Sequence, residues 1–151
     1  MKQKHEYFMD EAIKQAKKAY HRDEVPVGAI IVKDGIIISK GYNTRDKHKK
    51  ITKHAELIAI ERANKKLGDW RLNDCIMYTT SEPCPMCSGA IQQSRISDVY
   101  IGAKSVKNHS LTGKILNNKK LNHIVKTHYN VNKSKCEDLL NTFFKEKRTK
   151  K

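Results

Sequence analysis

The chain has 151 residues, 38% of them hydrophobic, and its 31 Lys and Arg against 16 Asp and Glu give a formal charge of +15. That length supports one domain with a real core, expected over residues 1–151, and no apolar run approaches the ~20 residues of a membrane span. The Met1 to Glu6 start lacks the apolar stretch of a secretory signal, so a cytosolic chain is the default expectation.

Phe8, Ala12, Ile13, Ala16, Ala19 and Tyr20 recur at helical spacing over 4–21, with Lys14, Gln15, Lys17 and Lys18 opposite, which predicts an amphipathic helix. Residues 25–32 form an apolar, β-branched run closed by Asp34-Gly35, and Ile36-Ile37-Ile38 resumes at once, a strong hairpin signal. From Asn43 to Lys53 the chain is polar and basic and reads as a loop. His54 to Leu67 has Ala55, Ile58, Ala59, Ala63 and Leu67 on one face and predicts a largely buried helix, ended by Gly68-Asp69.

Residues 75–80 predict a third strand, broken by Glu82-Pro83. A helix is expected from about Cys84 to Ser94, with Pro85 near its first turn, where a missing N–H does no harm. Residues 99–102 predict a fourth strand, 104–122 are polar and weakly patterned, and 123–129 alternate enough for a fifth strand. Cys136, Leu139, Leu140, Phe143 and Phe144 mark a last amphipathic helix, which runs into a basic tail over 145–151. Strands alternating with helices predict an α/β sandwich, a mixed sheet with helices on both faces.

Two short stretches carry the chemistry: His54-Ala55-Glu56, and Glu82-Pro83-Cys84-Pro85-Met86-Cys87. One imidazole and two thiols make three zinc ligands, the number used by a catalytic site that leaves its fourth position to water. Cys84 and Cys87 are three residues apart at a predicted helix start, where they point the same way and the helix dipole favours thiolates. Two thiolates balance one Zn2+, and zinc lowers the pKa of its water to roughly 7. Glu56, two residues past His54, is placed to act as the proton shuttle without being a ligand.

A four-ligand structural site would need a further donor such as Cys75, Cys136, His48 or His109; none stands in a paired spacing, and both of those cysteines fall on apolar stripes. A redox C-x-x-C leaves His54 and Glu56 unexplained. A surface glutamate stabilising a helix N-terminus would account for Glu56 alone. The joint H-x-E and P-C-x-x-C pattern is the signature of zinc-dependent nucleobase deaminases.

The chain resembles the bacterial tRNA-specific adenosine deaminase family, within the cytidine-deaminase-like superfamily. The likeness rests on Glu24-Val25-Pro26-Val27-Gly28-Ala29, Gly41-Tyr42-Asn43, the two zinc motifs, Ser94-Arg95-Ile96, Leu121-Asn122-His123 and Phe143-Phe144-Lys145 with Arg148. The resemblance implies a five-stranded α/β/α sandwich, one zinc per chain, a homodimer, and conversion of the wobble adenosine of a tRNA, an arginine anticodon by family habit, to inosine. It also implies that Asn43 contacts the target nucleotide and that Phe144, Lys145 and Arg148 contact the stem-loop. From the residues alone, Asn43 also reads as a turn residue, and Phe143 and Phe144 continue the apolar stripe of the last helix.

Charge and tail favour a nucleic-acid substrate over a small neutral one, although a Lys- and Asn-rich coding bias would decorate any surface in the same way. The run Ser105 to Ser110 stands where the family has an acidic residue and a glycine-containing loop, and Ser81 stands where it has leucine. The loop counts toward the second reading, a deaminase of a free base or nucleoside such as guanine, cytosine or cytidine. A third reading, a nucleic-acid-binding protein with a silent zinc site, is disfavoured by the presence of Glu56.

Overall fold

Alternating buried residues on the central strands give the sheet two apolar faces, and each face is covered by helices. In the computed structural model, which describes residues 2–149, the order is α1 (Lys2–His21), β1 (Gly28–Lys33), β2 (Ile36–Tyr42), α2 (Arg45–His48), α3 (Ala55–Leu67), β3 (Cys75–Ser81), α4 (Pro85–Gln93), β4 (Asp98–Ala103), α5 (His109–Leu116), β5 (Lys126–His128) and α6 (Lys133–Thr149). The five strands lie in the order β2-β1-β3-β4-β5. β1 pairs antiparallel with β2 and β3, whereas β3, β4 and β5 run parallel.

Along β1 the parity of the strand decides the layers. Ala29 and Ile31 face a core with α3, α4 and α5, through Ala59, Ala63, Ile91 and Leu116. Ile30 and Val32 face the opposite core with Phe8, Met9, Ala12 and Ile13 of α1 and Cys136 of α6. The fold is therefore the expected three-layer α/β/α sandwich around a mixed five-stranded sheet. Asp34 and Gly35 both take positive φ (51° and 76°), the tight hairpin read from the sequence.

The structure corrects several boundaries. The first strand begins at Gly28 instead of residue 25, because Pro26 has no N–H and the Val27 N–H turns back onto the Val25 carbonyl. The second strand continues to Tyr42. The polar stretches hold two short helices, α2 and α5. α5 buries only Thr112 and Leu116, too thin a stripe for periodicity to reveal. The fifth strand is confined to 126–128, since the His123 carbonyl and Val125 N–H are taken by Gln92 and the Leu116 carbonyl. Lys150 and Lys151 of the expected tail lie outside the described residues.

One close approach positions the active helix. A Cβ on Gly41 of β2 would lie 2.6 Å from the Ala55 carbonyl oxygen and 2.9 Å from the Ala59 nitrogen, so α3 sits directly on the strand. Ser39, two residues earlier, donates from its hydroxyl to the Ala59 carbonyl at 2.8 Å. Gly41→Ala is expected to cost about 1–3 kcal/mol, as overpacking does, and to lower turnover by displacing the helix that carries Glu56. Denaturant unfolding beside an activity assay reads both effects.

Candidate active site and metal centre

The site forms where β3 and β4 end, at the carboxyl edge of the parallel half of the sheet, as ligand sites of open α/β sheets commonly do. Two helices start there. His54 is the N-cap of α3, in extended conformation (φ −84°, ψ 149°), and Cys84 is the N-cap of α4 (φ −69°, ψ 170°). Cys84 thus precedes the helix expected to contain it, and Cys87 in the first turn turns back toward it. Pro85 opens α4 with no N–H to lose.

His54, Cys84 and Cys87 bring one donor atom each within 4.8 Å of the others. His54 Nδ1 lies 3.7 Å from Cys84 Sγ and 3.4 Å from Cys87 Sγ. A tetrahedral zinc with Zn–N of about 2.05 Å and Zn–S of about 2.3 Å sets its N and S ligands roughly 3.6 Å apart. The side chains are therefore already spaced for that ion. No fourth protein donor joins them among the described residues: Cys75 and Cys136 are buried in the two opposite cores.

The electrostatics of the trio fit a dication. A hydrogen bond from Cys87 and another from His54 lower Cys84 to about 4 against the opposing effect of burial. The same bond to Cys84, reinforced by burial, pushes Cys87 well above the ordinary thiol range. The hydrogen bond with Cys84 raises His54 in turn. Without a metal, two adjacent thiolates repel and one proton is retained, whereas a divalent cation lets both ionise.

Glu56 is 4% exposed, and burial pushes its carboxyl up to about 7. It borders a cavity of about 170 Å3 that His54 and Cys84 also line, with Val25, Val27 and Asn43 among its other walls. That volume is below the roughly 300–1,000 Å3 of pockets that enclose whole drug-sized ligands. It suits a group no larger than one small planar ring system. The Asn43 amide is fixed at both ends: Nδ2 donates to the Val25 carbonyl at 3.2 Å, and Oδ1 accepts the Arg45 N–H at 3.0 Å. Among the described residues its second amide hydrogen has no partner.

Residues 2–103 match the family model for the cytidine and deoxycytidylate deaminase zinc-binding region. The tRNA-specific adenosine deaminase of Streptococcus pyogenes serotype M1 is 42% identical over 147 residues, covering 96% of this chain and 86% of its own. The chain belongs to the tRNA-specific adenosine deaminase family. A structure solved in studies of A-to-I editing by tRNA:A34 deaminases superposes with a TM-score of 0.84 at 33% identity, over 89% of this chain and 99% of that one. Guanine deaminase of Bacillus subtilis is 40% identical but shares less, with a TM-score of 0.65 over 74% of this chain and 70% of its own. The His54, Cys84 and Cys87 group fits one Zn2+ in this deaminase.

Two acids to which the sequence alone assigns no role brace the deaminase pocket. Glu24, 1% exposed, accepts the Asp46 N–H at 3.0 Å and the Lys47 N–H at 2.7 Å, and so holds α2. Glu82 accepts the Ser105 N–H at 2.9 Å and bonds His109 Nδ1 and the Tyr129 hydroxyl at 3.0 Å each. Burial opposes its ionisation, but those bonds and one from Thr112 keep its carboxyl below the usual range. The unusual 105–110 run is thereby fastened to the residue that precedes Pro-Cys. Position was the available signal, since each acid directly abuts a motif.

The expected tail residues are not brought to the zinc cavity. Phe143 is buried against Tyr20, with ring centroids 6.0 Å apart, while Phe144, Lys145 and Arg148 are exposed on α6. Lys147 ion-pairs with Asp23 at 2.6 Å, and the two line a separate cavity with Tyr20 and Phe143.

Proposed function

We propose that this chain, as one deaminase domain over residues 1–151, hydrolyses the wobble adenosine of a tRNA anticodon loop to inosine and releases ammonia. The observation that carries the reading is the convergence of His54, Cys84 and Cys87 beside the buried carboxylate of Glu56. The tRNA substrate is supported by relatives of that name at about 42% identity over 96% of the chain. His54, Cys84 and Cys87 would hold the metal, and zinc bound there would acidify water to a pKa of roughly 7. Glu56 takes one proton from the attacking water on a carboxylate oxygen and passes it to ring N1 of the adenine. It then carries the second proton, from the hydroxyl newly bonded to C6, to the departing amine as the C6–N bond breaks and the C6 carbonyl forms.

Val25 and Val27 provide apolar walls for the base, and Asn43 fixes its orientation with the free amide hydrogen. A loop nucleotide enters at low cost because it is already unstacked. Phe144 stacks on the stem-loop, and Lys145 and Arg148 meet its phosphates. The arginine anticodon, a homodimer and a cytoplasmic location complete the reading. Among the described residues no helix is long and apolar enough to cross a membrane.

The likeness to a guanine deaminase favours the second reading, a free-base substrate. One assay separates the two: purified protein is offered an adenosine-wobble arginine stem-loop, adenosine, cytidine, cytosine and guanine, and ammonia and product bases are measured. Inosine in the stem-loop alone is the expected result. Turnover confined to a free base or nucleoside would replace the tRNA reading.

A further inference from the structure

Beside the zinc cavity lies a second one of about 220 Å3, lined by Tyr42, Thr44, Lys47, Lys53, Glu61 and Arg62 among others. The two share a wall. Along residues 42 to 45 the side chains alternate, Asn43 and Arg45 lining the zinc cavity and Tyr42 and Thr44 lining its neighbour. The parity repeats where the chain returns, with Lys53 on the second cavity and His54 on the first. The Thr44 N–H donates to the Lys53 carbonyl at 3.0 Å and pins these two segments into one ribbon.

The second cavity is electropositive. Lys47, Lys53 and Arg62 outnumber Glu61 on its lining, and His48 adds a ring whose Nδ1 is 2.9 Å from the Thr44 hydroxyl. Among the described residues neither Lys47 nor Lys53 is in an ion pair, and Arg62 gives an N–H to the Lys40 carbonyl at 2.8 Å, which neutralises no charge. The buried Glu24 holds the backbone of Lys47 in place. A concave surface of one sign concentrates ligands of the other.

We propose that this cavity binds one of the two phosphodiesters flanking the target nucleotide. The inference rests on the deamination of a polynucleotide proposed above. A base inserted into the zinc cavity leaves its sugar at the rim, and the strand's next phosphate then passes over a wall one ribbon thick. The site also gives the enzyme a reason to prefer a strand to a free nucleoside, which carries no phosphate to place there.

The test is a coupling experiment on the full chain. Wild type, a Lys47→Ala/Lys53→Ala variant and a separate Arg62→Gln variant deaminate stem-loops that carry one uncharged methylphosphonate, 5′ or 3′ of the target adenosine. Removing the two lysines is expected to raise KM about tenfold and to flatten the log–log salt dependence by about 0.7, the slope of one single-strand phosphate contact. The methylphosphonate at one flank should raise the wild-type KM similarly and leave the double variant unaffected. Arg62→Gln, which spares the α2 loop, should show the same coupling at the same flank.

Strictly additive effects at both flanks, or an unchanged KM, would overturn the site while wild-type inosine formation still stood. Inorganic phosphate competing at constant ionic strength, with no coupling to either flank, would assign the cavity to free anions and overturn it too. No inosine from the wild type would instead overturn the underlying deaminase reading.

Discussion

Glu56→Ala is expected to reduce deamination by roughly 100- to 10,000-fold, the range a positioned proton-transfer group contributes, while the protein retains its zinc. Glu56 lies in the first turn of α3, two residues past a ligand and outside the group of converging donors. Removing it therefore leaves the His54, Cys84 and Cys87 trio complete. The side chain is buried at the cavity, so no solvent base replaces it readily. Glu56→Gln keeps the volume but cannot relay a proton, and it should fall as far. Turnover measured beside zinc content decides the matter: near-normal activity in either variant would remove Glu56 from the mechanism.

Cys87→Ala is expected to lose both zinc and turnover, and Cys75→Ala is expected to lose neither. Cys87 is buried and presents its sulfur 3.4 Å from His54 Nδ1, and two ligands do not hold zinc as three do. Cys75 occupies the core against α3 and α4, so its substitution costs packing without touching the metal. Chelation of the wild type should abolish activity as completely as Cys87→Ala. It should also lower stability, by about 4 kcal/mol where zinc had stood a thousandfold above its Kd. Metal analysis and thermal melts read both, and a zinc-replete, active Cys87→Ala protein would disprove the ligand set.

The zinc trio was legible because each half of it is local. His54 and Glu56 share one turn of chain, Cys84 and Cys87 another, and spacing alone says that each half points one way. Their convergence follows from the sheet, which sets the starts of α3 and α4 at the same edge. Helix α1, the 34–35 turn and the buried stripe of α6 were legible for a similar reason: their periodicity or turn chemistry is written in consecutive residues.

What escaped the sequence is held by long-range bonds. α2 depends on Glu24, more than 20 residues earlier by chain, and no local pattern in its four residues announces a helix. α5 buries two side chains and leans on Glu82 through His109. The shortened fifth strand gives up backbone groups to α4 and α5. The basic cavity was half visible, since the lysines of 45–53 stood out. Arg62, about two turns inside another helix, could not be grouped with them until the chain was folded.

The most direct test of the account is single-turnover reaction of an anticodon stem-loop in 18O-labelled water, followed by nuclease digestion and mass analysis. The account predicts inosine at the wobble position only, carrying one 18O at C6, with an equivalent of ammonia released. An unmodified wobble base, or inosine spread over other loop adenosines, would contradict it.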